Sequence, residues 1–230
     1  MVRDQGWQAG GPADGLAATR LTGAAWLSYV LERSFLNCSG TGPAWGIAGE
    51  GVLLTVAEAF GNCSKYIQRR LPAGLPPGSA TPSYHRSVAL DARQAALVRR
   101  ADTFFIASAH PERGADASHR GGRPGFAEVA DGGRRMTIPD YSGNRMFQTL
   151  GNLAVNPRTG LLFLDWETGT TLQLTGRSRI IWDPKALRSR PGAERLVEIS
   201  LDAVYEQEQA MPARWCPIEP YRRNPPVEQP

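Results

Sequence analysis

The chain has 230 residues, of which 41% are hydrophobic and 21% charged, and its formal net charge is +4. These values are typical of a globular protein and exclude a long disordered chain; the length allows one large domain, or one domain with a fragment of another. The sequence has no run of five like charges and no apolar run near 18 residues, so it predicts neither nucleic-acid binding nor a membrane span.

The cysteines and histidines do not indicate a metal site or a disulfide framework. There are three of each, and no Cys-x-x-Cys or Cys/His pair has metal-ligand spacing. An odd number of widely spaced cysteines is typical of a reduced compartment, so we expect a cytoplasmic protein.

The N-terminal third of the chain has few clear elements. Residues 1–46 carry scattered Gly, Ala and Trp without a period, whereas residues 51–56 predict a β-strand. Ser64 is placed to cap a short helix over residues 65–70. Residues 71–82 contain four prolines among Gly and Ser, which indicates an exposed linker, and we place the main domain boundary there.

Beyond the linker, short β runs alternate with turn clusters. A helix is predicted over residues 91–100 and a second over 144–155, which Asn156-Pro157 ends. Gly132-Gly133 supplies a hairpin turn. The predicted strands cover residues 103–108, 125–129, 135–138, 161–166, 171–175, 178–182 and 196–204. Six or seven strands with few helices favour a mainly β fold that forms a closed or nearly closed barrel.

Four motifs follow one another in this region. Residues 116–126 read Asp-Ala-Ser-His-Arg-Gly-Gly-Arg-Pro-Gly-Phe, and residues 138–145 read Ile-Pro-Asp-Tyr-Ser-Gly-Asn-Arg. The Asn-Pro helix stop and Leu-Thr-Gly-Arg at 174–177 complete the series. In this order the motifs resemble the pyridoxamine 5'-phosphate oxidase-related family, whose members are FMN-binding split β-barrels.

The resemblance implies a fold class and a domain organisation. It implies a mainly β (α+β) split barrel of six to seven mostly antiparallel strands over residues 90–215, followed by a flexible tail over 216–230. Gly-Asn-Cys-Ser-Lys-Tyr-Ile-Gln at 61–68 resembles the end of a first barrel in two-barrel relatives. Residues 39–70 are therefore interpreted as the remnant of a truncated or degenerate first barrel, residues 71–89 as a Pro-rich linker, and residues 1–38 as poorly defined.

The same resemblance implies a phosphate-binding site for FMN. Related barrels hold the phosphate with a Ser-x-Arg strand end and with a polar turn and helix start about twenty residues later. By motif, the implied cofactor-binding residues are Ser118, Arg120, Ser142, Asn144, Arg145, Thr149 and Asn152. A helix start after Ser142 would also direct backbone N–H groups at the anion.

The implied function is that of an FMN-binding protein, a flavin-dependent oxidoreductase acting on an unassigned small molecule. Related barrels dimerise, so a homodimer is expected. No catalytic residue is assigned. The alternatives are a non-catalytic module that holds flavin, haem or a deazaflavin, and an inactive truncated paralogue.

Several other residues are given structural roles. Arg177 is expected to pair with Asp165 across the sheet, and Cys63 to be a small packed residue. His119 is interpreted as a turn residue. The three tryptophans of the barrel region, Trp166, Trp182 and Trp215, are expected to fill the barrel and its dimer face, although one could stack on a ring system.

Overall fold

The structure, a computed structural model, describes residues 25–31, 34–40, 45–48, 51–54, 58–74, 83–211 and 214–227. Over residues 25–62 the description is of the backbone alone. There β1 (Ala25–Leu31), β2 (Ser34–Gly40) and β5 (Glu58–Asn62) form one antiparallel sheet, and β3 (Trp45–Ala48) pairs with β4 (Gly51–Leu54). The strand predicted over 51–56 corresponds to β4, while most of the segment predicted to be poorly defined, 1–38, lies outside the described residues.

The main sheet has eight antiparallel strands, and seven of them lie within residues 90–215. Their order is β10-β11-β14-β13-β12-β8-β9, and β7 also pairs with β14. The strands are β7 (Tyr84–Ser87), β8 (Thr103–His110), β9 (Gly114–Gly121), β10 (Glu128–Ala130), β11 (Arg135–Tyr141), β12 (Arg158–Leu164), β13 (Thr171–Ile181) and β14 (Ala193–Gln207). The expected mainly β class is therefore confirmed.

The core of this sheet follows from the alternation of buried and exposed residues along its strands. In β13, for example, Leu172 and Leu174 are buried and Gln173 between them is exposed, as the two-residue period of a strand requires. Phe104 of β8 stacks on Phe163 of β12 with ring centroids 5.0 Å apart. Each such fully buried side chain contributes about 1.5–3 kcal/mol of transfer free energy.

Helix α1 (Ala92–Arg100) confirms the helix predicted over 91–100. Asp91 accepts a hydrogen bond from the Gln94 backbone N–H at 2.7 Å, and the Gln94 side chain accepts from the Asp91 N–H at 3.0 Å, which is a capping box. Glu206 of β14, 2% exposed, accepts two hydrogen bonds from the Arg93 guanidinium and one from the Gln94 amide. The helix is therefore fixed to the sheet by charge as well as by packing.

Helix α2 covers Gln148–Val155, so the prediction that it begins at residue 144 is wrong. Arg145 (φ 63°) and Phe147 (φ 52°) are both left-handed, and a right-handed helix cannot pass through such residues. Residues 144–147 instead form an exposed turn, in which the Asn144 side chain accepts from the Met146 N–H at 3.1 Å. The turn places the start of α2 at the functional site described below.

Three other element predictions are corrected. The helix over 65–70 is wrong: residues 65–66 form a turn, and β6 (Arg69–Gly74) follows and pairs with β15 (Arg214–Glu219). The strands at 171–175 and 178–182 are the single strand β13, in which a bulge at Thr175/Gly176 interrupts the register without ending the pairing. The strand predicted at 125–129 is shorter and begins at Glu128, after a turn.

Parts of the predicted linker and of the predicted tail, at the two ends of the barrel, are ordered in strands or buried. The first four residues of the predicted linker, 71–74, lie in β6, and the predicted boundary between residues 215 and 216 falls inside β15. Asn224, in the predicted tail, is buried. Among the helices that the structure describes, none is long and apolar enough to cross a membrane.

Candidate functional site

A pocket opens where the end of β9, the end of β11 and the turn before α2 meet residues 63–66. The last four residues of β9, Ser118 to Gly121, all line this pocket. Its polar lining includes Lys65, Tyr66, Ser118, His119, Arg120, Asp140, Asn144, Arg145, Thr149, Glu194 and Arg195. Charged and hydroxyl groups from four separate parts of the chain thus converge on one concave surface.

Three cations of the pocket have no carboxylate partner among the residues the structure describes. They are Lys65, Arg120 and Arg145. Burial lowers the pKa of the Arg120 guanidinium, and the Asp140 and Asp116 carboxylates act in the opposite direction. An arginine remains charged at neutral pH, so among the described residues the partly buried charge of Arg120 is balanced only by carboxylates beyond ion-pair distance.

Arg195 shows the contrasting arrangement. Its Nε donates to Asp140 Oδ2 at 2.9 Å, and a terminal nitrogen contacts both Asp140 and Glu194. Its guanidinium carbon lies 4.9 Å from the centroid of the Phe147 ring and 5.5 Å from that of Trp182. This cation is fully engaged by the protein, so it shapes the pocket and leaves little charge for a ligand.

The start of α2 adds backbone donors to the same surface. Phe147, the residue before the helix, provides no side-chain cap, and Gln148, Thr149 and Leu150 of the first turn all line the pocket. The first intrahelical bond within this turn is donated by Gly151 to the Phe147 carbonyl at 2.7 Å. The N–H groups before Gly151 are therefore free of helix partners, as expected at a helix N-terminus, where they favour an anion.

A hydroxyl cluster lies beside these cations. Ser118 Oγ is 2.8 Å from Asp116 Oδ2, Thr149 Oγ1 is 3.1 Å from the same oxygen, and the two hydroxyl oxygens are 3.2 Å apart. Asp116 (4% exposed) and Thr149 (3% exposed) are buried, whereas Ser118 is partly exposed to the pocket. The cluster joins β9 to the first turn of α2.

Residues 63–66 close one side of the pocket. Lys65 Nζ donates to the backbone carbonyls of Ser142 at 3.2 Å and Gly143 at 3.5 Å, and Tyr66 Oη donates to Ser142 O at 3.0 Å. A Cβ on Gly121 would lie 2.0 Å from the Tyr66 carbonyl oxygen, so only glycine allows this approach to β9. Lys65 and Tyr66 therefore fix the turn that carries Asn144 and Arg145.

His119 and Tyr141 have strongly shifted pKa values. Burial, assisted by the nearby Arg120 and Arg70 charges, lowers the pKa of His119 to about 3. Burial, with Tyr66 close by, raises the pKa of Tyr141 to about 12. Both side chains are therefore neutral at physiological pH, and neither titrates near 7 as a general acid or base would.

The structure brings five of the seven predicted cofactor-binding residues to the pocket lining: Ser118, Arg120, Asn144, Arg145 and Thr149. Ser142 has an exposed side chain and meets the site through its carbonyl oxygen. Asn152 faces away and donates to Ser108 Oγ at 3.1 Å, which ties α2 to β8. Binding of a cofactor by these residues stays a prediction.

Sequence reasoning missed four residues that shape the site: Lys65, Tyr66, Asp116 and Arg195. Lys65 and Tyr66 are within the motif at 61–68, which was interpreted only as a barrel remnant. Asp116 opens the motif at 116–126, and its alternation with Ser118 and Arg120 on one face of a strand was a usable signal. Arg195 is distant in sequence from every motif, and no local signal identifies it.

Some structural expectations are corrected here. Asp165 forms its ion pair with Arg100 and not with Arg177, which lies opposite Arg158 in the register of β12 and β13. Trp182 is 63% exposed and does not fill the barrel. Trp166 and Trp215 pack edge to face, with ring centroids 6.3 Å apart, and Arg70 lies 4.4 Å from the Trp166 centroid.

Comparison with protein families places residues 90–215 in a known family. Those residues match the family described as pyridoxamine 5'-phosphate oxidase, and they make up more than half of the chain. No curated protein gave a significant match. The matched range has the bounds predicted for the split barrel, and the antiparallel sheet with two described helices agrees with that fold.

Solved structures with a similar arrangement share little sequence with the chain. HupZ from Group A Streptococcus has 10% identity and a TM-score of 0.40, covering 54% of this chain and 98% of its own. A proposed pyridoxamine 5'-phosphate oxidase from Lactobacillus delbrueckii has 12% identity and a TM-score of 0.43, covering 51% and 94%. An FAD-binding protein from Mesorhizobium loti has 11% identity and a TM-score of 0.37, and the match covers 56% of this chain and 99% of that protein. Values this low carry no inference about the ligand.

Proposed function

The chain belongs to the pyridoxamine 5'-phosphate oxidase family, and from this premise we propose that its pocket binds FMN and that the protein is a flavin-dependent oxidoreductase with a small-molecule substrate. The observation that carries the proposal is the Arg120 guanidinium, which lies in the pocket without an ion-pair partner among the described residues. A partly buried charge of this kind is costly unless an anion accompanies it.

The donors in the pocket fit a phosphate group. Arg120 can offer a planar, bidentate fork, Arg145 and Lys65 add positive charge, and the first turn of α2 adds backbone N–H groups. The Asp140 and Glu194 carboxylates, which also line the pocket, both contact Arg195, so the lining carries four cations and two carboxylates. The balance of free charge in the pocket therefore favours an anionic ligand.

The flavin, when bound, supplies the hydride and electron transfer chemistry. The protein's part is to bind the phosphate, orient the rest of the ligand and limit its access to water. His119 and Tyr141 are neutral at physiological pH and neither gains nor loses a proton there. They are suited to positioning a ligand and not to transferring a proton.

A non-catalytic holder of flavin, haem or a deazaflavin is the second candidate. The specific observation in its favour is that the pKa values of two pocket groups that could exchange protons, His119 and Tyr141, are both shifted away from neutral pH. The absorption spectrum of the purified protein separates flavin from haem, and reduction of a bound flavin by NAD(P)H supports the oxidoreductase.

The proposed assembly is a homodimer, in the reduced cytoplasmic compartment that the cysteine content favours. The exposed rings of Phe147 (47% exposed) and Trp182 (63% exposed) both contact the Arg195 guanidinium, and Phe147 and Arg195 line the pocket. Large aromatic side chains grouped on a surface are typical of protein interfaces. Measurement of the mass in solution, with and without Trp182→Glu, tests this contact.

Arg120→Ala tests the proposed function. Loss of a charge-assisted contact is expected to weaken FMN binding about ten- to a hundred-fold, with riboflavin, which has no phosphate, affected far less. Titration of each flavin by fluorescence quenching measures both constants. Arg188→Ala is the control, because Arg188 is exposed and outside the pocket lining, and it should leave both affinities unchanged. If Arg120→Ala weakens the binding of both flavins equally, or of neither, Arg120 does not bind the phosphate.

A further inference from the structure

We propose that the Ser118 hydroxyl offers the ligand a hydrogen-bond acceptor and not a donor, because its own hydrogen is donated to the Asp116 carboxylate. Ser118 then receives a hydroxyl group of the ligand's sugar-alcohol chain, and the phosphate is bound by Arg120, Arg145 and the first turn of α2. The inference rests on the proposed function for the identity of the ligand. It reverses the part that the family motif implies for Ser118.

The argument begins with the number of protons in the hydroxyl cluster. Ser118 and Thr149 each carry one hydroxyl hydrogen, and the Asp116 carboxylate carries none. The three separations, 2.8, 3.1 and 3.2 Å, are all within hydrogen-bonding distance, so three contacts compete for two protons.

Two arrangements keep both hydroxyl protons within the cluster; the third, in which Ser118 donates to the ligand, costs the Asp116 carboxylate a hydrogen bond. If both hydroxyls donate to Asp116, both are committed. If one hydroxyl donates to the other, the second donates to Asp116 and the result is the same. Neither of the first two arrangements leaves a hydrogen for a phosphate oxygen, whereas the oxygen of Ser118, which lines the pocket, keeps a lone pair that can accept.

Asp116 makes the arrangement difficult to break. Its side chain is buried, and its Oδ1 has no hydrogen-bond partner among the described residues, so the carboxylate depends on the two hydroxyls that contact Oδ2. Rotating the Ser118 proton towards a ligand would remove a charge-assisted bond from a buried anion. A phosphate at Ser118 would also bring a second negative charge next to this carboxylate.

The geometry of β9 places the two subsites next to each other. Asp116, Ser118 and Arg120 are alternate residues of one strand and so lie on one face, with neighbours about 7 Å apart along it. A ligand with its hydrogen-bond donor and its phosphate several bonds apart can reach both Ser118 and Arg120 along this face. The ribityl phosphate of FMN has this separation.

The test compares Ser118→Ala with Arg120→Ala for FMN, riboflavin, lumiflavin and inorganic phosphate. Ser118→Ala is expected to weaken FMN and riboflavin by the same factor, about three- to ten-fold, and to leave lumiflavin, which lacks the ribityl chain, and inorganic phosphate unchanged. Arg120→Ala should weaken FMN and inorganic phosphate selectively. Ser189→Ala, on the exposed segment before β14, is the matched serine control.

The outcomes distinguish this inference from the proposed function. If Ser118→Ala weakens FMN or inorganic phosphate but not riboflavin, Ser118 donates to phosphate and the inference is overturned; the same holds if it changes none of the affinities. A parent protein that binds inorganic phosphate but no flavin overturns the proposed function, and the phosphate affinity of Ser118→Ala still tests the inference. A parent that binds none of the four overturns both.

Discussion

Arg120 and Arg195 illustrate how the neighbours of a side chain decide its role. Both are partly buried arginines that line the same pocket, but Arg195 has two carboxylate partners and two aromatic rings, whereas Arg120 has no ion-pair partner among the described residues. Sequence motifs predicted Arg120 and missed Arg195. The reason is physical: an ion pair formed by residues 55 positions apart leaves no local pattern.

At the residue scale, the lowered pKa of His119 predicts how the free energy of unfolding depends on pH. Between pH 6.5 and about 3 the unfolded chain binds a proton at His119 that the folded chain does not, because burial lowers the folded pKa. The contribution of His119 to the free energy of unfolding should therefore decrease by about 1.4 kcal/mol for each unit that the pH falls within this window. His119→Gln should reduce that slope, measured by urea unfolding from pH 6.5 to 4.5.

The control for this measurement is His85→Gln, because His85 is exposed on β7. Its replacement is expected to leave the slope as in the parent. An unchanged slope in His119→Gln would show that the acid sensitivity has another source.

At the scale of elements, the turn before α2 carries the largest departure from the sequence prediction. The Asn-Pro stop predicted where the helix ends, and that end is confirmed at Val155. Its start was predicted four residues too early, because nothing in the local sequence marks Arg145 and Phe147 as left-handed. The Lys65 and Tyr66 bonds to the carbonyls of this turn come from 76 or more residues away.

Replacing either of two glycines near this site by alanine is expected to change the stability of the protein, but in opposite directions. Gly151 lies inside α2, and a methyl group added at its Cα would meet open space, so Gly151→Ala should stabilise the protein by about 0.5–1 kcal/mol through helix propensity. Gly121→Ala should destabilise it by about 1–3 kcal/mol, because its methyl group would meet the Tyr66 carbonyl oxygen. Urea denaturation measures both values; equal effects would contradict the described approach of residues 63–66 to β9.

At the scale of the whole molecule, the chain segments on either side of the barrel hold each other. Gln68 Oε1 accepts from the Tyr221 N–H at 2.7 Å and from Asn224 Nδ2 at 3.1 Å, and Gln68 Nε2 donates to the Tyr66 carbonyl at 3.0 Å. Gln68 and Asn224 are both buried. The sequence could predict the barrel from its periodic strands, but not this contact, because polar residues in Pro-rich surroundings are equally typical of a solvated tail.

Asn224→Ala tests the contact. It leaves the buried Gln68 amide without one partner, so the free energy of unfolding should decrease by about 1–3 kcal/mol. Arg223→Ala changes the exposed neighbour and should stay within about 0.5 kcal/mol of the parent. Chemical denaturation of the full chain measures both free energies. Equal stability of the two variants would indicate that the contact between Asn224 and Gln68 does not stabilise the protein. The domain boundary at 71–82 stays a prediction.

Lys65 and Tyr66 contact the pocket from outside the range that defines the family. Residues 90–215 carry the main strands and the motifs proposed to bind phosphate, yet one side of the cavity comes from a segment that precedes them. Such a segment can diverge or be replaced during evolution while every strand of the barrel is retained. Two proteins with the same barrel can therefore differ in the ligand they accept, and a ligand inferred from the barrel alone ignores the residues best placed to change it.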